Sequence, residues 1–349
     1  MDTGANDTLI VAAVGDFMLE QRPDPADVNT ARRLFEDVDL VIANVDAVLS
    51  AHGTPVPKWA NLRGPRDIAG DVKAMGVGVA SMANNHTMDF RAEGMLDTCR
   101  AYDDVGLLHA GAGENLAAAS APAVAEVRGR KVVVLSVACT LPPESAAGPN
   151  WPGIAPVHVH YAFAVDESLL AEQPGTVPEV RTWLDEHDLA RVRADVTAAK
   201  DTADVVLVAV HWGVPAPWRA PSHPVLHEYQ QILGHALIDA GADAVIGNHA
   251  HELHGIEFYR DRLIAYCLGN FWIDTIASYP WMGRESIVLR LHIQPSGPTT
   301  AEIAPLFLDD GGVPRRDAGC RAVTILDALG QNLGTSVVED GDRLIIRPS

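Results

Sequence analysis

The sequence predicts an α/β fold, and three observations carry that prediction. Short apolar runs of strand length alternate with stretches of helical spacing. The apolar runs repeatedly end in a polar cluster: at Asp16, at Asp46, at Asn85-His86, at His211, and at His249 and His251. The chain of 349 residues is 48% hydrophobic, enough to bury a sizeable core. We read it as one domain over residues 1–349. A substrate-loop insertion is expected at 141–178 and a strand-rich part at 286–349.

The elements follow in order. Residues 9–14 read as a buried strand ending at Gly15-Asp16, and 31–37 as a short helix. A second buried strand, 39–43, ends at Asn44-Val45-Asp46. Residues 66–75 look helical, and strand 77–81 runs into Asn84-Asn85-His86. Residues 90–104 are helical, with Asp89 placed as N-cap. Residues 123–139 read as a hairpin turning at Arg128-Gly129-Arg130. The stretch 141–178 is rich in Pro and Gly and reads as an irregular functional loop. A helix near 189–200 precedes strand 204–210, which ends at His211-Trp212-Gly213. Helix 225–240 repeats apolar residues at Leu226, Tyr229, Leu233 and Leu237. Strand 242–246 ends at Gly247-Asn248-His249-Ala250-His251. Residues 255–259 and 263–268 pair, strands follow over 286–305, and a helix near 322–329 and a strand near 343–346 close the chain.

Charge narrows the function. With 26 Lys and Arg against 46 Asp and Glu, the net charge of −20 repels nucleic acid and anionic membrane surfaces. It suits cations, or a neutral or basic peptide. Cys99, Cys139, Cys267 and Cys320 lie far apart in apolar runs, as buried free thiols of a reducing compartment do. The run 9–14 is too short for a signal peptide, and no run approaches the roughly 20 apolar residues of a membrane span. The expectation is a cytoplasmic protein without a membrane partner.

Carboxylate, amide and imidazole groups at strand ends suit a divalent ion, because ligands gather beyond the carboxyl ends of strands in α/β sheets. Singly, each signal is weak. A strand-end Asp is commonly a cap, a lone His a core residue, and Asn84-Asn85 a turn. His249 and His251 are stronger, since two imidazoles at i, i+2 after a buried strand can reach one site.

In that order the chain resembles the CapA-like (poly-γ-glutamate capsule biosynthesis) family, a branch of the calcineurin-like metallophosphatases. The matching segments are Gly15-Asp16-Phe17-Met18-Leu19, Asn44-Val45-Asp46, Ala83-Asn84-Asn85-His86 with Asp89, His211-Trp212-Gly213, Gly247-Asn248-His249-Ala250-His251 and Leu268-Gly269-Asn270-Phe271. The resemblance implies a four-layer α/β/β/α sandwich with metal between two sheets. One metal site would use Asp46, Asn85, His211 and His249. The other would use Asp16, position 18, Asp46 and His251. His86 would stand beside the metal as an acid/base group. Three departures matter. Position 18 is Met, a poor ligand for a hard ion. Asp46 replaces a usual Glu and is one methylene shorter. Ala250 and Asn248 replace a common Pro and His. One divalent ion is therefore expected, with Ca, Mn and Zn not distinguished. Two-metal phosphoester hydrolysis is disfavoured.

What remains is acid–base chemistry. His86 would pair with Asp46 or Asp89, and His251 with Asp16, each carboxylate orienting its imidazole. Two such pairs facing each other across a carbon suit epimerisation. Signal-free members of the resembled family include lasso-peptide epimerases. The expectation is an enzyme, a metal-dependent epimerase inverting the Cα of the C-terminal residue, such as Trp, of a precursor peptide. The alternatives are a metallophosphoesterase or other hydrolase, and a capsule-polymer assembly protein. Trp59, Trp151, Trp212, Trp218, Trp272, Tyr279 and Trp281 fall in loop-like stretches and would line a cleft or pack loops. Lys58, Arg63, Arg66 and Arg284 are candidates to hold a peptide carboxylate, or are surface charges.

Overall fold

A computed structural model of the chain describes residues 8–213, 226–295 and 297–349. Parallel strands need apolar cover on both faces, and the apolar runs provide it. Strands Leu9–Met18, Leu40–Val45, Val79–Ser81 and Leu108–Ala110 are parallel neighbours in a ten-stranded sheet. Beyond Leu9–Met18 the same sheet continues through the antiparallel strands Glu285–Ile293, Thr300–Leu308, Arg343–Pro348 and Thr335–Asp340. A six-stranded sheet has its own parallel centre: Arg130–Ala138, Val205–His211, Ala244–Asn248 and Arg262–Ala265. Its edges are the antiparallel strands Ala123–Val127 and Ile256–Tyr259.

Alternation along these strands divides the apolar residues among three cores. Val11, Ile42 and Val79 of the larger sheet meet Val134, Leu207 and Ile246 of the smaller one. On the far side of the larger sheet, Val14, Ala43 and Ala80 pack with Ile68 and Val72 of helix Ile68–Ala74 and Met95 and Ala101 of helix Arg91–Val105. On the far side of the smaller sheet, Val133, Val208 and Val245 pack with Val192 and Val196 of helix Glu186–Lys200 and Leu233 and Leu237 of helix Glu228–Asp239. The layers therefore run helix, sheet, sheet, helix.

Local structure departs from the sequence reading at several places. The helix expected at 31–37 is instead Pro25–Arg32, followed by a 3-10 turn at Arg33–Phe35. Pro25 opens it, and the Asp24 carboxylate accepts the Ala26 N–H at 2.7 Å. Asp89 does not cap helix Arg91–Val105; Phe90 holds that position without a side-chain bond. The irregular stretch 141–178 contains strands Gly153–Ile154 and Val159–Ala164 and helix Glu167–Glu172. Val159–Ala164 pairs with Glu179–Leu184 in a hairpin outside both main sheets. Cys139 and Cys267 are buried and Cys99 is half-buried, but Cys320 is exposed, correcting the expectation for that thiol; all four are free. Among the described residues, no helix is long and apolar enough to cross a membrane.

Candidate active site

The same alternation that builds the inter-sheet core aims polar side chains into one end of it. Ile42 faces the inter-sheet core, so Asn44 does too; Leu207 faces it, so His211 does; Ile246 faces it, so Asn248 does. Asp16 is the exception. Val14 belongs to the helix-side core, and strict alternation would send Asp16 there as well. The pairing register with Leu40–Val45 shifts between Val14 and Asp16, and that bulge turns Asp16 toward the second sheet. Gly15 makes the bulge possible: a Cβ there would lie 2.0 Å from the Gly269 carbonyl oxygen. Phe17 and Met18 then fall into the helix-side core. Met18 is thus a packing residue of the wall behind the site.

Asp16 and Asp46 are fully buried. Asp16 accepts from Asn44 Nδ2 at 2.7 Å and from the His249 backbone N–H at 3.2 Å. The two Asp46 carboxylate oxygens are buried without a hydrogen-bond partner among the described residues. Ligand atoms of Asp16, Asp46 and His211 lie within 4.8 Å of one another. His211 Nε2 stands 2.8 Å from Asn85 Oδ1 and 4.0 Å from Asp46 Oδ2. The His249 ring lies 4.6 Å from the His211 ring, centroid to centroid. His249 and His251 both take positive φ, +103° and +56°, a strained backbone that turns two successive imidazoles toward the site.

The electrostatics fit a cation. Burial first, and then the neighbouring Asp16 charge, push the Asp46 carboxyl well above its ordinary range. Burial likewise raises Asp16, against the opposing pull of His251. Burial first, and then repulsion from His249 on His211 and from His251 on His249, hold both rings well below the usual imidazole value. Two crowded carboxylates and two neutral imidazoles are the donor set a divalent ion takes, and an orphaned buried carboxylate is costly without one. Asp16, Asp46, Asn85, His211 and His249 therefore fit the implied metal. The Nδ1 of His251 faces Asn270 Oδ1 at 2.8 Å and Asp16 Oδ2 at 3.4 Å. Metal binding and proton transfer would compete for its Nε2.

Beside this nest stands a dyad. His86 Nδ1 is 2.7 Å from Asp89 Oδ2. Of the two partners open to His86 in the sequence, Asp89 is the one in contact. The Asp89 carboxylate also accepts the Leu62 N–H at 2.7 Å and pairs with Lys58, which is why it caps no helix. Burial lowers the His86 pKa, so the ring is neutral at neutral pH.

Site members not anticipated from sequence are Asn44, Asn84 and Asn270. Asn84 donates to Asn44 Oδ1 and the Val45 carbonyl, and accepts the His86 and Thr87 N–H groups. Asn270 donates to the His251 and Gly283 carbonyls. Their signal lay in the motif segments themselves. Of the four candidate cations, Lys58 reaches the site. Arg63 lies 3.4 Å over the Phe90 ring, Arg66 pairs with Asp97 and Asp104, and Arg284 with Asp310. Trp212 and Trp272 are core residues. Trp59, Tyr279 and Trp281 cluster with ring centroids 6.0 to 6.5 Å apart, and Trp281 lies 6.2 Å from His251. Trp151 is exposed elsewhere, its indole bonded to the Ala146 carbonyl. Trp218 lies outside the described residues.

The chain is 27% identical over 328 residues to the capsule biosynthesis protein CapA of Bacillus anthracis, covering 88% of this chain and 69% of that one. It is 26% identical over 353 residues to the PGA biosynthesis protein CapA of Bacillus subtilis strain 168, covering 97% and 82%. It is 30% identical over 251 residues to a Mycobacterium tuberculosis protein named as a probable polyglutamine synthesis accessory protein, covering 70% and 57%. The model of the family described as bacterial capsule synthesis protein PGA_cap matches residues 10–275, a span that holds Asp16, Asp46, Asn85, His86, Asp89, His211, His249 and His251. The chain belongs to the bacterial capsule synthesis protein PGA_cap family.

Proposed function

We propose that this chain is a divalent-metal-assisted acid–base enzyme acting on a peptide-type chain, and that its reaction is inversion at the terminal Cα of a precursor peptide in the cytoplasm. The observation that carries the reading is the buried His86–Asp89 dyad at 2.7 Å, set beside the orphaned carboxylate of Asp46. The helix, sheet, sheet, helix order is the one expected of a calcineurin-like metallophosphatase, and we read the sandwich as such. Asp16, Asp46, Asn85, His211 and His249 would hold the ion. When bound, it supplies positive charge beside the oxygen on which negative charge develops. Asp89 holds the Nδ1 side of His86, so Nε2 takes the Cα proton. His251, oriented by Asp16 and Asn270, returns a proton to the opposite face. Trp59, Tyr279 and Trp281 wall the approach beside His251 with apolar surface. Met18, buried behind the site, supplies no ligand, which supports a single ion over a hydrolytic pair.

A second reading is favoured by the names of the relatives: an accessory role in assembling a polyglutamate capsule polymer. The net charge of −20 opposes a long polyanion and favours the first reading. One experiment separates them. The metal-loaded protein is incubated in D2O with a ribosomal-type peptide ending in an aromatic residue, and separately with an oligo-γ-glutamate. A single deuterium at the terminal Cα together with a new diastereomer supports the epimerase. Shortened chains point to a hydrolase. Tight binding of the oligo-γ-glutamate with neither exchange nor cleavage favours the accessory role and overturns the first reading.

A further inference from the structure

We infer that Lys58 is a positioning residue that locks the acid–base dyad to the metal nest, and not a substrate anchor. This rests on the acid–base reading above. The Lys58 side chain is mostly buried, and its ammonium donates to the Asn85 backbone carbonyl at 2.6 Å and pairs with Asp89 Oδ1. It also stands 3.3 Å from His86 Nδ1. An ammonium has three N–H donors, and the Asn85 carbonyl and Asp89 Oδ1 take two of them. Most of that charge is therefore spent inside the protein.

The loop that carries Lys58 is wrapped around the same carboxylate. Val56 N–H donates to the Asp89 backbone carbonyl at 2.9 Å, and Leu62 N–H to Asp89 Oδ2 at 2.7 Å. Lys58 N–H and Asn61 Nδ2 both donate to the Val56 carbonyl, closing the loop on itself. Asp89 Oδ2 is therefore occupied by His86 and Leu62, and among the described residues Oδ1 is buried against the Lys58 ammonium alone. Take the ammonium away and Oδ1 is left buried and unpaired, a costly state. The carboxylate would then turn, and His86 would lose the bond that fixes its ring. The other end of the tie matters equally. Lys58 grips the carbonyl of Asn85, whose side chain faces His211 at 2.8 Å. One ammonium thus sets both the dyad and an amide of the metal nest, as outer groups orient inner ones at metal sites.

The test is steady-state Cα exchange by wild type and Lys58→Ala, with metal affinity and melting temperature measured on both. The expected result is a fall in kcat of about 10–100-fold, an unchanged KM, and recovery of at least half the lost rate on adding ethylammonium, which refills the vacated channel. A raised KM with unchanged kcat makes Lys58 a substrate anchor and overturns the inference. So does a lowered melting temperature without chemical rescue, which makes it only a fold contact. If wild type exchanges nothing, the acid–base reading itself has failed. Lys58 is then judged by the 15N spectrum of the His86 ring. A single Nδ1–H tautomer in wild type that is lost in Lys58→Ala upholds the tie, and an unchanged ring signal overturns it.

Discussion

Asp46 concentrates the chemistry of the site in one side chain. It is fully buried, both oxygens lack hydrogen bonds among the described residues, and its neighbour Asp16 carries the same charge. Asp46→Asn keeps the shape and removes the charge. Its divalent-metal affinity, read by calorimetry, should fall by more than the roughly 10–100-fold of an outer-shell loss. The metal-free variant should melt no lower than wild type at pH 8, because a buried unpaired carboxylate has gone. His86→Ala should behave in the opposite way: metal affinity kept, Cα exchange lowered by about 10²–10⁴-fold. Acidity adds a third expectation. His211 and His249 have depressed values in the fold, so their contribution to stability is present above the ordinary 6.5 and is lost as pH falls through the depressed values. Asp16 and Asp46 have raised values, so theirs is present below the ordinary 3.8 and is lost as pH rises through the raised ones. The metal displaces the proton that Asp46 holds so readily. Metal affinity should therefore climb with pH until the raised Asp46 value is passed, and level off above it. A pH-independent affinity would contradict this.

At the scale of elements, the bulge in strand Leu9–Met18 decides whether Asp16 belongs to the site or to the helix-side core. Gly15→Ala places a methyl carbon 2.0 Å from the Gly269 oxygen, a contact that only backbone movement relieves. We expect a loss of several kcal/mol, about the scale of a severe core defect, and weakened metal binding in whatever folds, read by thermal melting and titration. The bulge also marks the limit of what the sequence disclosed. The apolar runs announced the strands, and polar clusters at their ends announced Asp16, Asp46, Asn85-His86, His211 and the His249 pair. A pairing-register shift leaves no periodic trace, so nothing in residues 9–18 told that Asp16 would turn. Asp89 was misread for a related reason. Its position before helix Arg91–Val105 has the local look of a cap, while besides His86 its partners are Leu62 and Lys58, some thirty residues earlier in the chain. The helix Pro25–Arg32 was legible in Asp24-Pro25, a capping signal outweighed by the later apolar residues.

Across the whole molecule, two sheets meet so that the carboxyl ends of their parallel strands share one rim, where Asp16, Asp46, His211 and His249 collect. The fold thus holds together, buried, groups that repel one another. A divalent ion is the simplest thing that reconciles them. Binding it should raise stability by mass action, about 2.7 kcal/mol at a concentration one hundred times the dissociation constant. Chelation should reverse that gain. The family and the layered α/β plan were readable from motif order and periodicity. The reaction was not, because fold-level likeness leaves chemistry to the particular site. The most direct test of the central claim is an anomalous difference map from crystals of the protein loaded with Mn²⁺. The account expects one peak, bounded by Asp16, Asp46, Asn85, His211 and His249, with the Asp46 carboxylate turned onto it. No peak there in a fully folded crystal, with Asp46 left without an ion, would contradict it.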